Sequence, residues 1–553
     1  MFQTRAAWEQ VFFISTLVAL VVTVAHFLSL FGIEFLYDAS FGATFGNSTF
    51  FGTYLLFPIF FCVYLFTQAR KPFLRWYAAV AFLIFVSVLF SIDANAAQMS
   101  FLGGLVLLAS LLLISLGASH RQRTTGYAML GSLLIAFLFV GFSLFQPQSA
   151  IRQYFIEQTS NARFAVWDMA WQGIKERPWL GWGPDNFGFV EQDYYHPCLG
   201  SPACGGEIWF DSAHNALLDV AVDSGVIGLL VYLALFITAI VQVWRPIVAR
   251  KQRGAIPAIL TTMLVVYFVQ NLTSVDGVTS LLFFVLVLAA MSSSDSLFPH
   301  EKDFPVRTTR TPGIVPALAT VLFPFAFLFF VIQPVKANRL TTEAIAPQVV
   351  DDHLRAYERA LNGSAMGIDR RRYFLASGTA DILWVSPRES VMGVASYARR
   401  EIQLAENALL DTINRPHRDL RSYLGLGKLY QLEARLFDAS LFQKAEGILK
   451  EAVELNASNP LPIWALASVY LEQGRVEEAA GLTEAALALN PDVTKSHLLN
   501  LVILRYLGDV QRLEQAVERA KEAQPAFVTK IDEVVSMKDL EAVKVDWLQQ
   551  FYP

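Results

Sequence analysis

The sequence predicts an all-α protein in two parts: a polytopic bundle of membrane-spanning helices and an α-solenoid of helical repeats. Of the 553 residues, 54% are hydrophobic and 16% are charged, whereas about a quarter of a soluble domain is charged. The charges are unevenly placed, since residues 1–333 hold 17 Lys/Arg and 18 Asp/Glu and the shorter remainder holds 26 and 30. A membrane part followed by a water-soluble part accounts for both observations.

Apolar runs of the length that crosses a bilayer, about 20 residues per helix, divide the first part. They cover residues 10–31, 50–67, 73–90, 99–117, 125–145, 225–244, 255–271, 278–291 and 314–333. The first run is too long and too weakly terminated to be a cleavable signal peptide, so it is expected to stay as an anchor. The sequence therefore predicts about nine spans.

The basic residues in the connections predict the orientation of these spans. With the N-terminus in the cytoplasm, thirteen Lys/Arg lie in cytoplasmic connections and four lie on the opposite side, as the positive-inside rule requires. The loop 146–215 and everything after Gln333 are then expected on the outer, periplasmic or extracellular, side of the cytoplasmic membrane. A connection as long as this loop is usually functional.

The soluble part contains a repeat of about 34 residues, which is the period of tetratricopeptide repeats. This spacing separates three pairs of small or turn-forming residues: Gly474 and Gly508, Ala486 and Ala520, and Pro491 and Pro525. The paired helices of such repeats bury their faces by stacking. An earlier unit around "YLGLGKLY" (423–430) fits if about six residues are inserted near 433–440. We expect tetratricopeptide repeats over 420–553, and a helical linker or degenerate repeats over 334–419.

Within the outer loop, "SNARFAVWDMAWQGIKERPWLGWGPDNF" (160–187) predicts a helix that carries Arg163 beside Trp167 and Trp171 and ends before Pro178. An arginine held against an apolar surface needs an anion. Lipid phosphate at the interface and a substrate phosphate both meet that need. The glycines of "WLGWGPDNF" indicate either a plain turn or a backbone that approaches a ligand closely.

The stretch "DSAHNALLDV" (211–220) places a histidine just ahead of an apolar helix. With Asp211 or Ser212 as the N-cap, His214 falls in the first turn, where the helix dipole disfavours imidazolium. A neutral imidazole there can take a proton from a hydroxyl, and the nearby backbone N–H groups suit a phosphate. The alternative is a half-buried histidine at the membrane interface.

Cys198 and Cys204 predict a short disulfide if their stretch faces an oxidising space. A zinc site using His196 or His214 is the alternative, but it lacks paired C-x-x-C spacing. The net charge of −5 and the lack of a basic, aromatic-rich patch predict no nucleic-acid partner. No nucleotide-binding loop, H-E-x-x-H or G-x-S-x-G motif occurs in the sequence, so the chemistry of ordinary soluble enzymes is not expected. We expect no cofactor.

Together these segments resemble the O-antigen ligase (Wzy C-terminal domain) family, polytopic enzymes of the glycosyltransferase-C class. The resemblance covers about residues 40–245. It rests on Arg163 followed by Trp167, and on "RPWLGWGPDNF", "WFDSAHNALLDVAVDSGVIGLLVYL" and "ATFGNSTFFGTYLL" (43–56). Tetratricopeptide tails accompany some members, so the second part of the chain fits as well.

The resemblance implies transfer of a glycan from a polyprenyl-diphosphate carrier to a lipid, protein or surface-polymer acceptor, without a metal ion. Arg163 matches the arginine that holds the diphosphate. His214 matches the histidine that activates or orients the acceptor hydroxyl, with Asp211 and Asn215 as the neighbours that fix its ring. Residues expected to bind substrate are Asn215, Asp211, Gly181, Gly183 and Arg177.

The sequence departs from the family pattern in two respects. The stretch "SIDANAAQMS" (91–100) lacks the arginine that many relatives carry there, and the chain has fewer spans, which predicts an N-terminus shortened relative to those relatives. Two other functions stay open: a polymerase of lipid-linked repeat units, and a non-enzymatic membrane scaffold for envelope assembly. The tetratricopeptide repeats predict a protein partner for an enzyme and for a scaffold alike.

Overall fold

The computed structural model describes residues 4–33, 42–250, 254–293 and 318–537, apart from 319–321, 323, 326, 346–349, 366 and 387. The chain forms two compact units. The membrane unit consists of Met1–Val190 and Phe210–Pro305, and the repeat unit consists of Glu191–Trp209 and Val306–Pro553. Residues 191–209, the inserted segment, thus interrupt the sequence of the membrane unit but fold with the repeats.

The helices of the membrane unit follow one another with short connections. They are α1 Arg5–Ser29, α2 Ser48–Gln68, α3 Pro72–Leu89, α4 Asn95–Leu116, α5 His120–Leu144, α6 Ala150–Gln158, α7 Ala162–Glu176, α8 Phe187–Asp193, α9 Ala216–Arg250, α10 Ile256–Gln270 and α11 Val278–Ser292. The boundary between the two units falls within α8.

Six of these helices, α1 to α5 and α9, are long and apolar enough to cross a membrane, and α10 and α11 are shorter apolar helices. These eight helices overlap the first eight predicted spans. The ninth, 314–333, lies partly outside the described residues, and its described end, 327–333, is helical. Helix α9 begins well before its predicted span because residues 216–224 are also helical, and its backbone breaks at Gly225.

Helix α2 lies at the centre of the membrane unit, packed against α1, α3, α4, α10 and α11. It is apolar all round, as a helix enclosed by others should be, and its aromatic residues Phe57, Phe60, Phe61 and Tyr64 are fully buried. Asn47 caps its start by accepting a hydrogen bond from the backbone N–H of Thr49. Helix α5 exposes apolar residues such as Leu134 and Phe139, as a lipid-facing helix does.

The described part of the repeat unit after residue 332 is also helical. Its helices are α12 Gln333–Ile345, α13 Val350–Asn362, α14 Ile368–Val385, α15 Arg388–Gly393, α16 Ala395–Ile413, α17 Leu420–Leu436, α18 Phe442–Leu455, α19 Pro460–Glu472, α20 Val476–Leu489, α21 Thr494–Leu507, α22 Val510–Ala523 and α23 Val528–Ser536. Residues from α12 to α23 contribute to one hydrophobic core.

The helix pairs α19–α20 and α21–α22 repeat with the predicted period, since the first begins at Pro460 and the second at Thr494. Small residues allow the paired helices to approach. A Cβ on Gly427 in α17 would lie 2.5 Å from the Leu449 side chain of α18. The preceding unit, which starts with α17, is longer than this period. The greater length of α17 and the 3₁₀ turn that follows it take up the extra residues.

The inserted segment is a compact loop closed by a disulfide between Cys198 and Cys204, whose Cα atoms are 5.8 Å apart. Leu199 and Cys204 are fully buried. The Tyr195 hydroxyl donates a hydrogen bond of 3.3 Å to the carbonyl of Leu199. The third cysteine, Cys62, is a buried free thiol in α2.

We expect iodoacetamide to label Cys62 alone when the purified protein is denatured without reductant, and all three cysteines after reduction. Only Cys62 has a thiol in the structure, and an oxidising compartment keeps the other pair bonded. Mass spectrometry of the labelled peptides measures this, with a Cys62→Ser variant as the control for background. Labelling of Cys198 and Cys204 without reductant would contradict the bond.

Candidate functional site

Arg163 and His214, the two residues predicted to act together, meet in the membrane unit. Helix α7 carries Arg163 in its first turn and ends before Pro178, as predicted. The Arg163 Nη1 donates a long hydrogen bond of 3.4 Å to the backbone carbonyl of His214. One turn further along α7, the Trp167 Nε1 donates to the carbonyl of Ala213 at 3.1 Å. Two side chains of α7 thus hold the backbone that carries the histidine.

The predicted start of the following helix was wrong. Helix α9 begins at Ala216, so Asp211 and Ser212 lie too far upstream to cap it, and His214 precedes the first turn. The capping side chain is that of Asn215, whose Oδ1 accepts from the N–H groups of Leu217 and Leu218 at 3.0 and 3.3 Å. Asparagine outranks most residues at this position because its short side chain reaches those orphan donors.

His214 adopts a left-handed backbone conformation with φ of +51°. Such a conformation costs a residue with a Cβ about 1–3 kcal/mol, and such residues concentrate at functional sites. Asp219 in α9 offsets the cost by accepting from the N–H of Ala213 at 2.6 Å and of Asn215 at 3.4 Å. The histidine is therefore held from both sides of its own position.

The imidazole of His214 is half-buried and contacts Ser212 and Phe210. Its Nδ1 lies 3.2 Å from the carbonyl oxygen of Ser212 and 3.3 Å from the hydroxyl, and the Phe210 ring packs edge-on at 5.8 Å between centroids. Ser212 therefore contacts the ring nitrogen, whereas Asp211 and Asn215 were the residues expected to fix the ring. Burial, and then the Arg163 guanidinium, lower the pKa of His214, against the opposing effects of the Ser212 carbonyl and Asp211.

The turn that contains Gly181 and Gly183 pairs with the break in α9. The N–H groups of Trp182 and Gly183 donate to the carbonyls of Val222 and Asp223 at 2.7 and 2.9 Å. In return, the N–H of Val226 donates to the carbonyl of Pro178 at 2.7 Å. The partner that this glycine turn approaches closely is thus α9.

Glycine is required on both sides of this pairing. Gly181 and Gly225 have φ of +70° and +64°. A Cβ on Gly181 would lie 2.3 Å from the Val222 carbonyl, and one on Gly225 would lie 2.2 Å from that of Trp179. The N–H groups of Gly181 and Gly183 are both engaged within the protein, so a substrate-binding role for these glycines stays a prediction.

Arg177, also predicted to bind substrate, stacks on the Trp182 ring with its guanidinium carbon 3.8 Å from the ring centre. It forms a 3.7 Å ion pair with Glu176. These contacts place it at the opposite end of α7 from Arg163. The structure therefore does not bring Arg177 to His214.

Sequence reasoning missed a polar cluster between α10 and α11. Asp276 accepts hydrogen bonds from the Tyr267 hydroxyl at 2.6 Å and the Asn271 amide at 2.9 Å, and burial raises the pKa of its carboxyl. The carbonyl of Asn271 accepts from the N–H of Ala216, the first residue of α9, at 2.8 Å. The cluster thereby supports the helix start beside His214. Its signal in the sequence is a lone carboxylate between two apolar runs.

Fold and site together define a polytopic helical membrane protein with a paired arginine and histidine and a C-terminal helical-repeat unit. Residues 95–233 match the O-antigen ligase family model, and residues 436–501 match a tetratricopeptide repeat model. Residues 95–233 are therefore similar to O-antigen ligase domains, and residues 436–501 are similar to tetratricopeptide repeats. A search of curated proteins found no match. The matched region includes Arg163 and His214, and the family supports a membrane glycan-transfer role of the glycosyltransferase kind.

We expect Gly225→Ala to destabilise the membrane unit by about 1–3 kcal/mol or more. The positive φ at this position is unfavourable for alanine, and the added Cβ would clash with the Trp179 carbonyl. Thermal unfolding in detergent measures this. Gly131→Ala in α5 is the matched control, since nothing lies within 4 Å of its Cβ. Equal melting temperatures for the two variants would contradict the pairing between the turn and α9.

We expect His214 to protonate below the ordinary histidine pKa of about 6.5, and Arg163→Gln to raise that pKa. Removing the guanidinium leaves only burial to oppose the charged ring. The pH dependence of diethyl pyrocarbonate modification, resolved for His214 by peptide mass spectrometry, reports the pKa because only the neutral ring reacts.

Arg152→Gln is the control for this measurement, because Arg152 stacks on Phe164 at 3.9 Å and the His214 segment is not among its contacts. Its His214 titration should match that of the unmodified protein. A midpoint that stays unchanged in Arg163→Gln would show that Arg163 does not act on the ring.

Proposed function

We propose that the chain transfers a glycan from a polyprenyl-diphosphate donor to an acceptor hydroxyl, with Arg163 and His214 as the catalytic pair. The observation that carries the proposal is the contact between the Arg163 guanidinium and the His214 backbone. It places a fixed cation suited to a diphosphate beside an imidazole whose pKa is lowered by burial and by that cation. A phosphate-binding cation and a neutral base are the two groups that the reaction needs.

In the proposed step, the acceptor oxygen attacks the anomeric carbon and gives its proton to His214. The bond between the anomeric carbon and the diphosphate oxygen breaks, and the diphosphate leaves with the electron pair. The planar guanidinium of Arg163 holds the leaving group by paired charge-assisted hydrogen bonds. The leaving group is already activated, so positioning, one base and one cation suffice for the chemistry.

The contacts of the His214 ring favour Nε2 as the nitrogen that takes the proton. When Nδ1 carries the ring proton and donates it to the Ser212 carbonyl, 3.2 Å away, Nε2 presents a lone pair. A hydrogen bond at one ring nitrogen fixes the tautomer and therefore the role of the other. In this proposal Ser212 orients the base, and Asn215 and Asp219 shape the backbone on which it sits.

We place this reaction on the outer face of the cytoplasmic membrane, with the N-terminus inside. Helix ends predicted to be outside contact one another: Asn95 donates to Gln158 at 2.6 Å, and Ala216 donates to Asn271 at 2.8 Å. On the predicted inner side, Gln242 donates to the carbonyl of Ser292 at 3.0 Å. These contacts, together with the disulfide of the inserted segment, support the orientation derived from the basic residues.

Purified protein incubated with a polyprenyl-diphosphate oligosaccharide, followed by mass spectrometry of candidate lipid, protein and polymer acceptors, tests the proposal. Glycan on an acceptor identifies a ligase. Lengthened carrier-linked glycan identifies a polymerase, and no transfer identifies a scaffold. The repeats alone are consistent with a scaffold, so the last outcome would overturn the enzymatic proposal.

In the same assay we expect His214→Gln to lower the transfer rate by at least about 100-fold, in the range of general-base catalysis. Arg163→Lys should also lose most of the activity, because an ammonium group cannot form the bidentate fork. Arg152→Gln controls for the loss of a loop cation. Full activity in His214→Gln would rule out its role as base, and full activity in Arg163→Lys would rule out bidentate binding.

A further inference from the structure

The inserted segment is held by residues at equivalent positions of successive repeats. Asn456 and Asn490 are the C-cap residues of α18 and α20 and are separated by one repeat period. The Nδ2 of Asn456 donates to the carbonyl of Gln192 at 2.7 Å, and the Nδ2 of Asn490 donates to the carbonyl of Pro197 at 2.5 Å. Both asparagines therefore bind main-chain oxygens, which every residue type supplies.

A charged residue of the same unit contacts both ends of the inserted segment. Arg421 in α17 lies 3.6 Å from the carboxylate of Glu191 and 4.6 Å from the centre of the Trp209 ring. Glu191 is fully buried, and a carboxylate is buried only when it is paired. Beside it, the Gln192 side chain accepts from the N–H of Leu420, the first residue of α17, at 2.9 Å.

The apolar side chains of the inserted segment belong to the core of the repeats. Ile208 and Trp209 pack against that core, and a Cβ on Gly200 would lie 3.7 Å from the Val493 side chain. The contacts thus extend from α17 to the residue before α21. They engage the segment at its start, its middle and its end.

One end of the inserted segment continues into the stretch that carries His214, and the other end continues into α8, which packs against α7. Glu191 follows Val190, which packs against Gly173 of α7, the helix of Arg163. Trp209 precedes Phe210, whose ring contacts the His214 ring. A constraint on residues 191–209 therefore reaches His214 through the peptide bond to Phe210, and it reaches the later part of α7 through Val190.

We propose that the repeat unit acts in cis as a clamp on the inserted segment and thereby positions Phe210 and His214. Arg421, Asn456 and Asn490 are positioning residues in this arrangement. The effect on catalysis rests on the proposed function, whereas the clamp itself does not. The repeats thus have a ligand within their own chain, which is the inserted segment.

The sharpest test is the double variant Asn456→Asp, Asn490→Asp in the full chain, reconstituted in nanodiscs. Aspartate keeps the Oδ1 that accepts from the Ser458 hydroxyl and from the N–H of Asp492. It replaces only the donating amide, so each carbonyl of the inserted segment faces a carboxylate. Asn407→Asp at an exposed position of α16 controls for added negative charge.

Hydrogen–deuterium exchange measures the clamp without any need for activity. We expect amides of 192–209 to exchange roughly tenfold faster or more in the double variant, since one hydrogen bond contributes about that factor to an equilibrium constant. Exchange in α19 and α21, and the melting temperature, should stay near the values of the control. Unchanged exchange in 192–209 would overturn the clamp.

Two further readouts test the positioning of His214. Its diethyl pyrocarbonate reactivity should change in the double variant, and the transfer assay should show a fall in kcat with little change in the KM for donor. Faster exchange of 192–209 with unchanged reactivity and kcat would overturn positioning while leaving the clamp. If the unaltered protein transfers no glycan, the proposed function fails. Hydrogen–deuterium exchange of 192–209 and the diethyl pyrocarbonate reactivity of His214 still test the clamp in that case.

Arg421→Lys is a second variant in case the aspartates impair folding. Lysine keeps the charge beside Glu191 but loses the planar stack on Trp209. We expect faster exchange near residues 207–209 and unchanged exchange near 191–193. An equal increase in exchange near residues 191–193 and 207–209 would contradict separate contacts of Arg421 with Glu191 and Trp209.

Discussion

The candidate site depends on the break in helix α9 at Gly225. Where the helix is interrupted, the carbonyls of Val222 and Asp223 accept hydrogen bonds from the turn that follows α7. Because α7 is also joined to the residues before α9 through Arg163 and Trp167, the two helices are tied near both ends of α7. The distance between the guanidinium and the imidazole is therefore set in part by backbone pairing that involves neither of the two residues.

The histidine itself is held in a conformation that a free chain avoids. A positive φ at a non-glycine residue persists only where the surroundings determine it. Here Trp167 binds the carbonyl before it, Arg163 binds its own carbonyl, and Asp219 binds the N–H groups on either side. The proposed base must keep its place while a substrate arrives, and this set of contacts would supply that rigidity at a modest energetic cost.

Much of this arrangement was predictable because it follows from local patterns. Apolar length predicted the spans, Pro178 predicted the end of α7, and the spacing of Gly474 and Gly508 predicted the paired helices of the repeats. The N-cap was mispredicted because Asp211, Ser212 and Asn215 are all good capping residues, and hydrogen bonds from the N–H groups of Ala213 and Asn215 to Asp219 favour the last.

Other features depend on long-range contacts that no local pattern reveals. The folding of residues 191–209 with the repeats rests on hydrogen bonds between residues more than 200 positions apart. The glycines Gly181 and Gly183 indicated only that some part of the backbone approaches their turn closely. The break at Gly225 makes α9 the partner of this turn. From the sequence alone, a glycine in an apolar helix is equally consistent with a small residue at a packing contact.

The position of Arg163 has an electrostatic consequence for the proposed reaction. Before the donor binds, the guanidinium helps to keep the imidazole neutral. A bound diphosphate would cancel the positive charge and add negative charge nearby, and both changes raise the affinity of the ring for a proton. The base would then become stronger only when the leaving group is in place. One ion pair would thus link donor binding to acceptor activation, so that an acceptor hydroxyl arriving first meets a weaker base.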